Sequence, residues 1–210
     1  MSEACFLAER SVSRETLARL AAFAALLEKW NPAINLISAG TVAQIWTRHF
    51  LDSAQVFDLA DAKSGLWADL GSGGGFPGLV LAMAGCNPVH LVEANGKKAG
   101  FLRYVAAQTG TDVTIHACRI EDPALSGLAP VAAVTARACA ALQQLLAWAA
   151  PLVDPDSRLV FLKGQSWREE IAAAERDWAF AWSATPSVTD PEAAIVTVTA
   201  LEPRRPHALA

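Results

Sequence analysis

The stretch Trp67-Ala68-Asp69-Leu70-Gly71-Ser72-Gly73-Gly74-Gly75-Phe76-Pro77-Gly78 constrains this chain more than any other. An apolar run ends in an aspartate and a glycine-dense turn. Glycine lets backbone approach a ligand without a side chain and permits positive φ. Pro77 then offers a preset φ for opening a helix. The pattern predicts a nucleotide-type cofactor loop at the end of a first parallel strand.

Around this loop, strands are predicted near 66–70, 88–93, 112–116, 131–135 and 157–162. Helices are predicted near 77–84, 95–109, 139–150 and 166–176. Two further strands, near 178–184 and 193–201, lack a helix between them and suggest an antiparallel edge. Strand–helix alternation argues for an α/β fold, a mostly parallel sheet with helices on both faces. Before it, Ser13 to Trp30 reads as an amphipathic helix stopped by Asn31-Pro32, and Val42 to Leu59 as a second helix. The expected organisation is a helical N-terminal extension over residues 1–64, with Asp61 to Gly65 as linker, a Rossmann-like domain over 65–203, and a mobile tail over 204–210.

The 210 residues are 53% hydrophobic and 18% charged, as suits a well-cored globular protein. No apolar run reaches the ~18 residues of a membrane span. The N-terminal stretch lacks a basic flank, so a signal peptide is not expected and the expected compartment is the cytoplasm. Four scattered cysteines (Cys5, Cys86, Cys118, Cys139) form no C-x-x-C pair and predict no metal site. The net charge of -4 excludes a generic polycation, though not a local basic face.

Ligands in such sheets sit beyond the carboxyl ends of the strands. The converging residues are then Gly71–Gly78, Glu93, Arg119–Asp122, Arg137 and Lys163. Gly73 to Gly78 formally matches G-x-G-x-x-G, which would suggest a dinucleotide. Against it, the glycine turn already begins at Gly71, Asp69 ends the strand, and bulky Phe76 stands within the span. S-adenosylmethionine has no phosphate. It needs a backbone path for its methionine part, a carboxylate for its ribose diol and a polar edge for adenine. Gly71, Gly73 and Gly75 suit the first, Glu93 the second, and Glu121-Asp122 the third.

Acceptor chemistry is narrowed by what is missing. There is no Asn/Asp-Pro-Pro-aromatic turn for an amino group. Cys139 has no paired motif for a pyrimidine adduct, and no metal-assisted catechol set is evident. Guanine N7 carries a lone pair and no proton, so its methylation needs alignment rather than a general base.

Five segments together resemble the bacterial 16S rRNA guanine-N7 methyltransferase (RsmG, or GidB) family. They are Asn31-Pro-Ala-Ile-Asn35-Leu36, Arg48-His49-Phe-Leu-Asp52-Ser53, Asp69 to Gly78, Thr135-Ala-Arg137-Ala138 and Leu162-Lys163-Gly164. The resemblance implies a class I S-adenosylmethionine-dependent methyltransferase fold with seven strands and a helical N-terminal extension. It also implies methyl transfer to N7 of one guanine in 16S rRNA of the small ribosomal subunit. By the same resemblance Gly71, Phe76, Ile120, Glu121 and Arg137 fall on cofactor-binding positions. Glu93-Ala-Asn-Gly96 departs from the family's more usual Asp/Glu-Ser lead into Lys97-Lys98.

Arg48, His49, Lys97, Lys98 and Arg119 are candidate RNA contacts, with Arg103 beside them. Arg137 and Lys163 are candidates for positioning rather than acid–base work. Bland readings stand beside these: a solvated helix face for Lys97, Lys98 and Arg103, a helix cap for Glu121 or Asp122, and a structural partner of Asp52 or backbone for His49. Rival functions are a methyltransferase for another RNA or a small molecule, a nicotinamide oxidoreductase, and a binding module that kept the loop. Tyr104 lacks the lysine four residues on that one large dehydrogenase class requires.

Overall fold

The computed structural model describes residues 12–59 and 64–204. The N-terminal stretch with Cys5, most of the predicted linker, and residues 205–210 of the predicted tail lie outside the described residues.

Helix α1 spans Arg14–Ile34, with Ser13 as N-cap accepting the Thr16 N–H at 3.0 Å. It buries Leu20, Phe23, Ala24 and Leu27 at helical spacing. The helix runs through Pro32, which the sequence expectation took as its stop. Proline removes one N–H, and here it falls at an exposed position of the last turn. Asn35 ends the helix instead, in the left-handed region at φ 50. The Asn31 Oδ1 accepts the N–H groups of Leu36 and Ile37 at 2.8 and 2.9 Å, which turns the chain toward the sheet.

The expected helix over 42–59 is three pieces: a 3-10 turn (Ala39–Gln44), a π-helical turn (Ile45–Leu51) and helix α2 (Asp52–Leu59). The widened middle piece buries His49, Phe50 and Leu51, and its Arg48 carbonyl accepts a bond from a distant arginine, Arg137. That outside bond is part of what holds the irregular turn.

The sheet has seven strands in the order β3-β2-β1-β4-β5-β7-β6. They are β1 (Ser64–Leu70), β2 (Asn87–Val92), β3 (Thr114–His116), β4 (Ala133–Arg137), β5 (Arg158–Lys163), β6 (Trp178–Pro186) and β7 (Ala194–Pro203). The first five are parallel, and β7 lies antiparallel to both β5 and β6. Helices α3 (Gly78–Met83), α4 (Gly96–Thr109), α5 (Leu142–Ala149) and α6 (Trp167–Ala174) complete the regular elements. β4 and β5 end on Arg137 and Lys163, so both residues belong to their strands rather than following them.

Two apolar clusters cover the sheet. One joins Phe23, Leu27, Phe50, Leu79 and Phe101; the other joins Leu70, Val134, Leu146, Phe161 and Ile171. The chain winds outward from β1 to β3, then restarts at β4 on the other side of β1. That switch point, between β1 and β4, is where the strand ends splay and a crevice opens.

Candidate active site

The glycine loop is tied from beneath by Asp69, the penultimate residue of β1. Its Oδ2 accepts the Gly78 N–H at 3.2 Å, and its Oδ1 accepts the Thr135 hydroxyl at 2.7 Å. Asp69 is fully buried, and burial raises its pKa to about 6 against hydrogen bonds led by Thr135. It therefore braces β1, β4 and the start of α3, and does not face the crevice.

Each glycine has its own geometry. Gly71 sits at φ +68, and a Cβ there would lie 2.3 Å from the Cys139 Sγ. Gly73, at φ +54, would place a Cβ only against the Gly71 carbonyl at 3.7 Å, so its face is open. Gly75 is the reverse: at φ +99, a Cβ would meet Leu79 Cδ1 at 2.7 Å and Phe23 Cζ at 3.0 Å. Gly75 faces the core and is not on the crevice wall, contrary to the sequence expectation.

A cavity of about 660 Å³ lies above the loop. Its wall brings together Gly71, Gly73, Phe76, Glu93, Ile120, Arg137 and Lys163, and also Arg48, His49 and Lys98. Glu121, Lys97 and Arg119 are exposed and lie off this wall. Asp122 caps the 3-10 turn Pro123–Leu128 through the Ala124 N–H at 3.0 Å.

Glu93 is nearly buried, and each carboxylate oxygen accepts one backbone N–H: Gly73 at 2.8 Å and Asn95 at 2.7 Å. A carboxylate has about four acceptor sites, so Glu93 fastens the loop and retains capacity for a diol. Asn95 caps α4 through the N–H groups of Lys97 and Lys98 at 3.0 and 3.2 Å. Gly96 therefore begins the helix without disturbing it.

Arg137 is the hub of the opposite wall. Its Nη1 donates to the Arg48 carbonyl at 3.0 Å and to Asp52 Oδ2 at 3.3 Å. Its Nη2 donates to His49 Nδ1 at 2.8 Å, and its guanidinium lies 4.7 Å above the Phe76 ring. Arginine has no acceptor, so Nδ1 must accept and the imidazole proton sits on Nε2, which reaches Thr41 Oγ1 at 2.9 Å. Burial, then the charges of Arg137 and Arg48, lower the His49 pKa to about 3. His49 is neutral, with both nitrogens engaged. Its partners are Arg137 and Thr41 rather than Asp52, and the ring, 8% exposed, lies in the cavity wall.

The Lys163 Nζ donates to the Ala140 carbonyl at 2.8 Å and pairs with Glu170 Oε2 at 2.6 Å. Its side chain is 8% exposed, so its charge is spent inside the protein. Cys139 has its thiol pKa raised by burial and nearby carboxylates, which rules against a ready thiolate nucleophile.

Sequence reasoning missed three contributors. Leu36 and Ile37 bring the N-terminal segment over the loop, the Leu36 carbonyl lying 3.0 Å from where a Cβ on Gly74 would sit. The loop between β6 and β7 supplies Thr189, whose hydroxyl donates to Asp52 Oδ1 at 2.8 Å, and Asp190, which pairs with Arg48 at 3.3 Å. Ala138 holds φ +50, a left-handed conformation unusual for alanine, directly after Arg137. Of these, Leu36 and Ala138 close two of the segments quoted above, whereas Ile37, Thr189 and Asp190 lie in no motif.

The family model for GidB, rRNA small subunit methyltransferase G, matches residues 16–195. The chain belongs to this family. Curated relatives extend the likeness over nearly its whole length. The ribosomal RNA small subunit methyltransferase G of Rhodospirillum centenum is 47% identical over 95% of this chain and 91% of its own. That of Parvibaculum lavamentivorans is 45% identical over 93% and 88%. Among solved structures, an MtNAS variant in complex with S-adenosylmethionine has a TM-score of 0.60 at 17% identity, covering 88% of this chain and 77% of that one. An O-methyltransferase from Bacillus cereus in complex with SAH has a TM-score of 0.59 at 15% identity, covering 85% and 90%. These distant likenesses establish the class I methyltransferase fold. As a member of the GidB family, the protein is an S-adenosylmethionine-dependent methyltransferase.

Proposed function

We propose that this enzyme transfers a methyl group to N7 of a specific guanine in 16S rRNA of the small ribosomal subunit, in the cytoplasm. The observation that carries the reading is the committed state of the titratable groups around the cavity. His49 is neutral with both nitrogens bonded, Arg137 and Lys163 are ion-paired, and Asp52 accepts from Arg137 and Thr189. These four groups are committed to partners inside the protein, so none of the four is poised to remove a proton from an acceptor. An acceptor atom without a proton fits such a site, and guanine N7 is one.

The cavity suits the methyl donor. Gly73 offers an open backbone face, Glu93 has spare acceptor sites for the ribose diol, and Ile120 supplies an apolar flank beside the adenine position. Gly71, Phe76 and Arg137 form the floor and far wall. Glu121, exposed beside Ile120, remains a candidate for the adenine edge. Bound S-adenosylmethionine supplies an electrophilic methyl on a sulfonium. The protein's part is to hold donor and base in line, exclude water, and keep Arg137 fixed as a cation whose remaining N–H groups can face an acceptor oxygen.

Tritiated methyl transfer to rRNA from a strain lacking the modification tests this reading. Label should enter 16S rRNA at one guanine, and strand scission specific for N7-methylguanine should map it. Label in another atom, or none in rRNA, would overturn it and favour a small-molecule acceptor.

A further inference from the structure

Four cationic side chains line the cavity: Arg48, Lys98, Arg137 and Lys163. Two are spent. Arg137 pairs with Asp52 where both side chains are 16% exposed, and Lys163 pairs with the largely buried Glu170. The remaining two differ from these. Lys98 is half-buried and makes no ion pair among the described residues. The Arg48 side chain is 40% exposed, and among the described residues it makes only long polar contacts, to Asp190 Oδ2 at 3.3 Å and the Thr189 carbonyl at 3.4 Å.

We infer that Arg48 forms a phosphodiester subsite at the cavity mouth, with the Asp190 carboxylate as its internal occupant until RNA arrives. The inference rests on the proposed rRNA substrate. Several features support it. The Asp190 side chain is 36% exposed and lies on the loop between β6 and β7, so the Arg48 guanidinium can leave it without disturbing the sheet. The Arg48 backbone is fixed separately, because its carbonyl accepts from Arg137 at 3.0 Å. The guanidinium can therefore exchange a carboxylate for a phosphate by side-chain rotation alone. Exposed pairs of this kind are weak, so exchange costs little. Arginine suits the exchange because its planar fork matches either anion. The same Arg48 carbonyl bond links the subsite to the hub beneath the acceptor base. Lys98, on the α4 side of the mouth, is placed to take a second phosphate of the same strand. This assigns the cavity's RNA contacts to Arg48 and Lys98 and leaves Arg137 and Lys163 to hold the wall.

The test is a double-mutant cycle read as affinity for unmodified 16S rRNA with S-adenosylhomocysteine present. Asp190→Asn keeps an acceptor for the Glu192 N–H, which Asp190 Oδ1 now holds at 3.1 Å, so the loop should survive. It should tighten RNA binding by about two- to fivefold, the range of an exposed ion pair. Arg48→Gln should weaken binding and flatten the slope of log affinity against log salt by about 0.7, one phosphate's share on a single strand. In the Arg48→Gln background, Asp190→Asn should have no further effect. If Asp190→Asn tightens binding equally in both backgrounds, removal of one negative charge explains it and the subsite is wrong. No change or weaker binding from Asp190→Asn alone also overturns it. Wild-type protein that leaves rRNA unmethylated would instead overturn the reading beneath it.

Discussion

Gly73 and Gly75 stand two residues apart in one loop, yet their substitution by alanine should fail in different ways. At Gly73 the added Cβ meets nothing closer than 3.7 Å, so its only structural cost is the left-handed backbone at φ +54. That costs about 1–2 kcal/mol. At Gly75 the backbone lies at φ +99, and the Cβ would sit 2.7 Å from Leu79 and 3.0 Å from Phe23. Both neighbours are fully buried, so neither can step aside into solvent. Overpacking adds about 1–3 kcal/mol to the strain, for a total near 2–5 kcal/mol. For a chain of this size each kcal/mol moves Tm by roughly 2–4 °C. Thermal unfolding without ligand and calorimetric titration with S-adenosylmethionine separate the two. Gly73→Ala should lose affinity by tenfold or more (~1.4 kcal/mol) while Tm drops by only a few degrees, because its methyl fills ligand space. Gly75→Ala should lose Tm by ~10 °C, with affinity reduced only as far as the fold is loosened. Normal cofactor affinity in folded Gly73→Ala would refute the placement of the ligand over this loop. A Tm loss in Gly75→Ala no larger than in Gly73→Ala would refute the packing argument.

Two buried groups should give opposing pH effects on stability. The His49 pKa is lowered from 6.5 to about 3, so the unfolded chain binds the extra proton and stability falls as pH drops through that window. The Asp69 pKa is raised from 3.8 to about 6, so the native state binds the extra proton and stability falls as pH rises from 3.8 to 6. Each is worth a few kcal/mol at about 1.4 kcal/mol per unit. Urea midpoints between pH 4 and 7 should therefore show Asp69→Asn more acid-sensitive than wild type and His49→Gln less so; parallel profiles would count against both assignments. Arg137→Lys should lose about 1–3 kcal/mol of stability in urea, since one ammonium cannot serve Arg48, Asp52 and His49 together. A lysine variant as stable as wild type would show that the hub is not built on the guanidinium fork.

Much of this structure was legible because it is written in local patterns. Strand–helix alternation gave the sheet, and the glycine turn marked the switch point. Asn95, one side chain before Gly96, made a helix start that glycine alone would have weakened. What was not legible depends on contacts distant in sequence. The break of the 42–59 helix into a π-helical turn is tied to a bond from Arg137, 89 residues away from Arg48. Pro32 failed as a stop because Asn31 and Asn35 supplied a better one three residues on. Gly75 looked like its neighbours, and only the packing of Phe23 and Leu79 reveals that it faces inward. Lys163 reads from sequence as a positioning candidate, and nothing local signals its pairing with Glu170 on the following helix. Asp190 carried no motif, and its importance comes wholly from where the loop between β6 and β7 lands.

With N7 as the acceptor, methyl transfer here requires no proton removal by the enzyme. A single-turnover pH–rate profile on 16S rRNA tests it most directly, with enzyme and methyl donor saturating. Between about pH 7 and 9 the profile should be flat, because His49 and Asp69, at about 3 and 6, have finished titrating below that range and N7 has no proton to lose. A rate that climbs about tenfold per pH unit across that range would reveal an essential base and overturn the assignment of a proton-free acceptor.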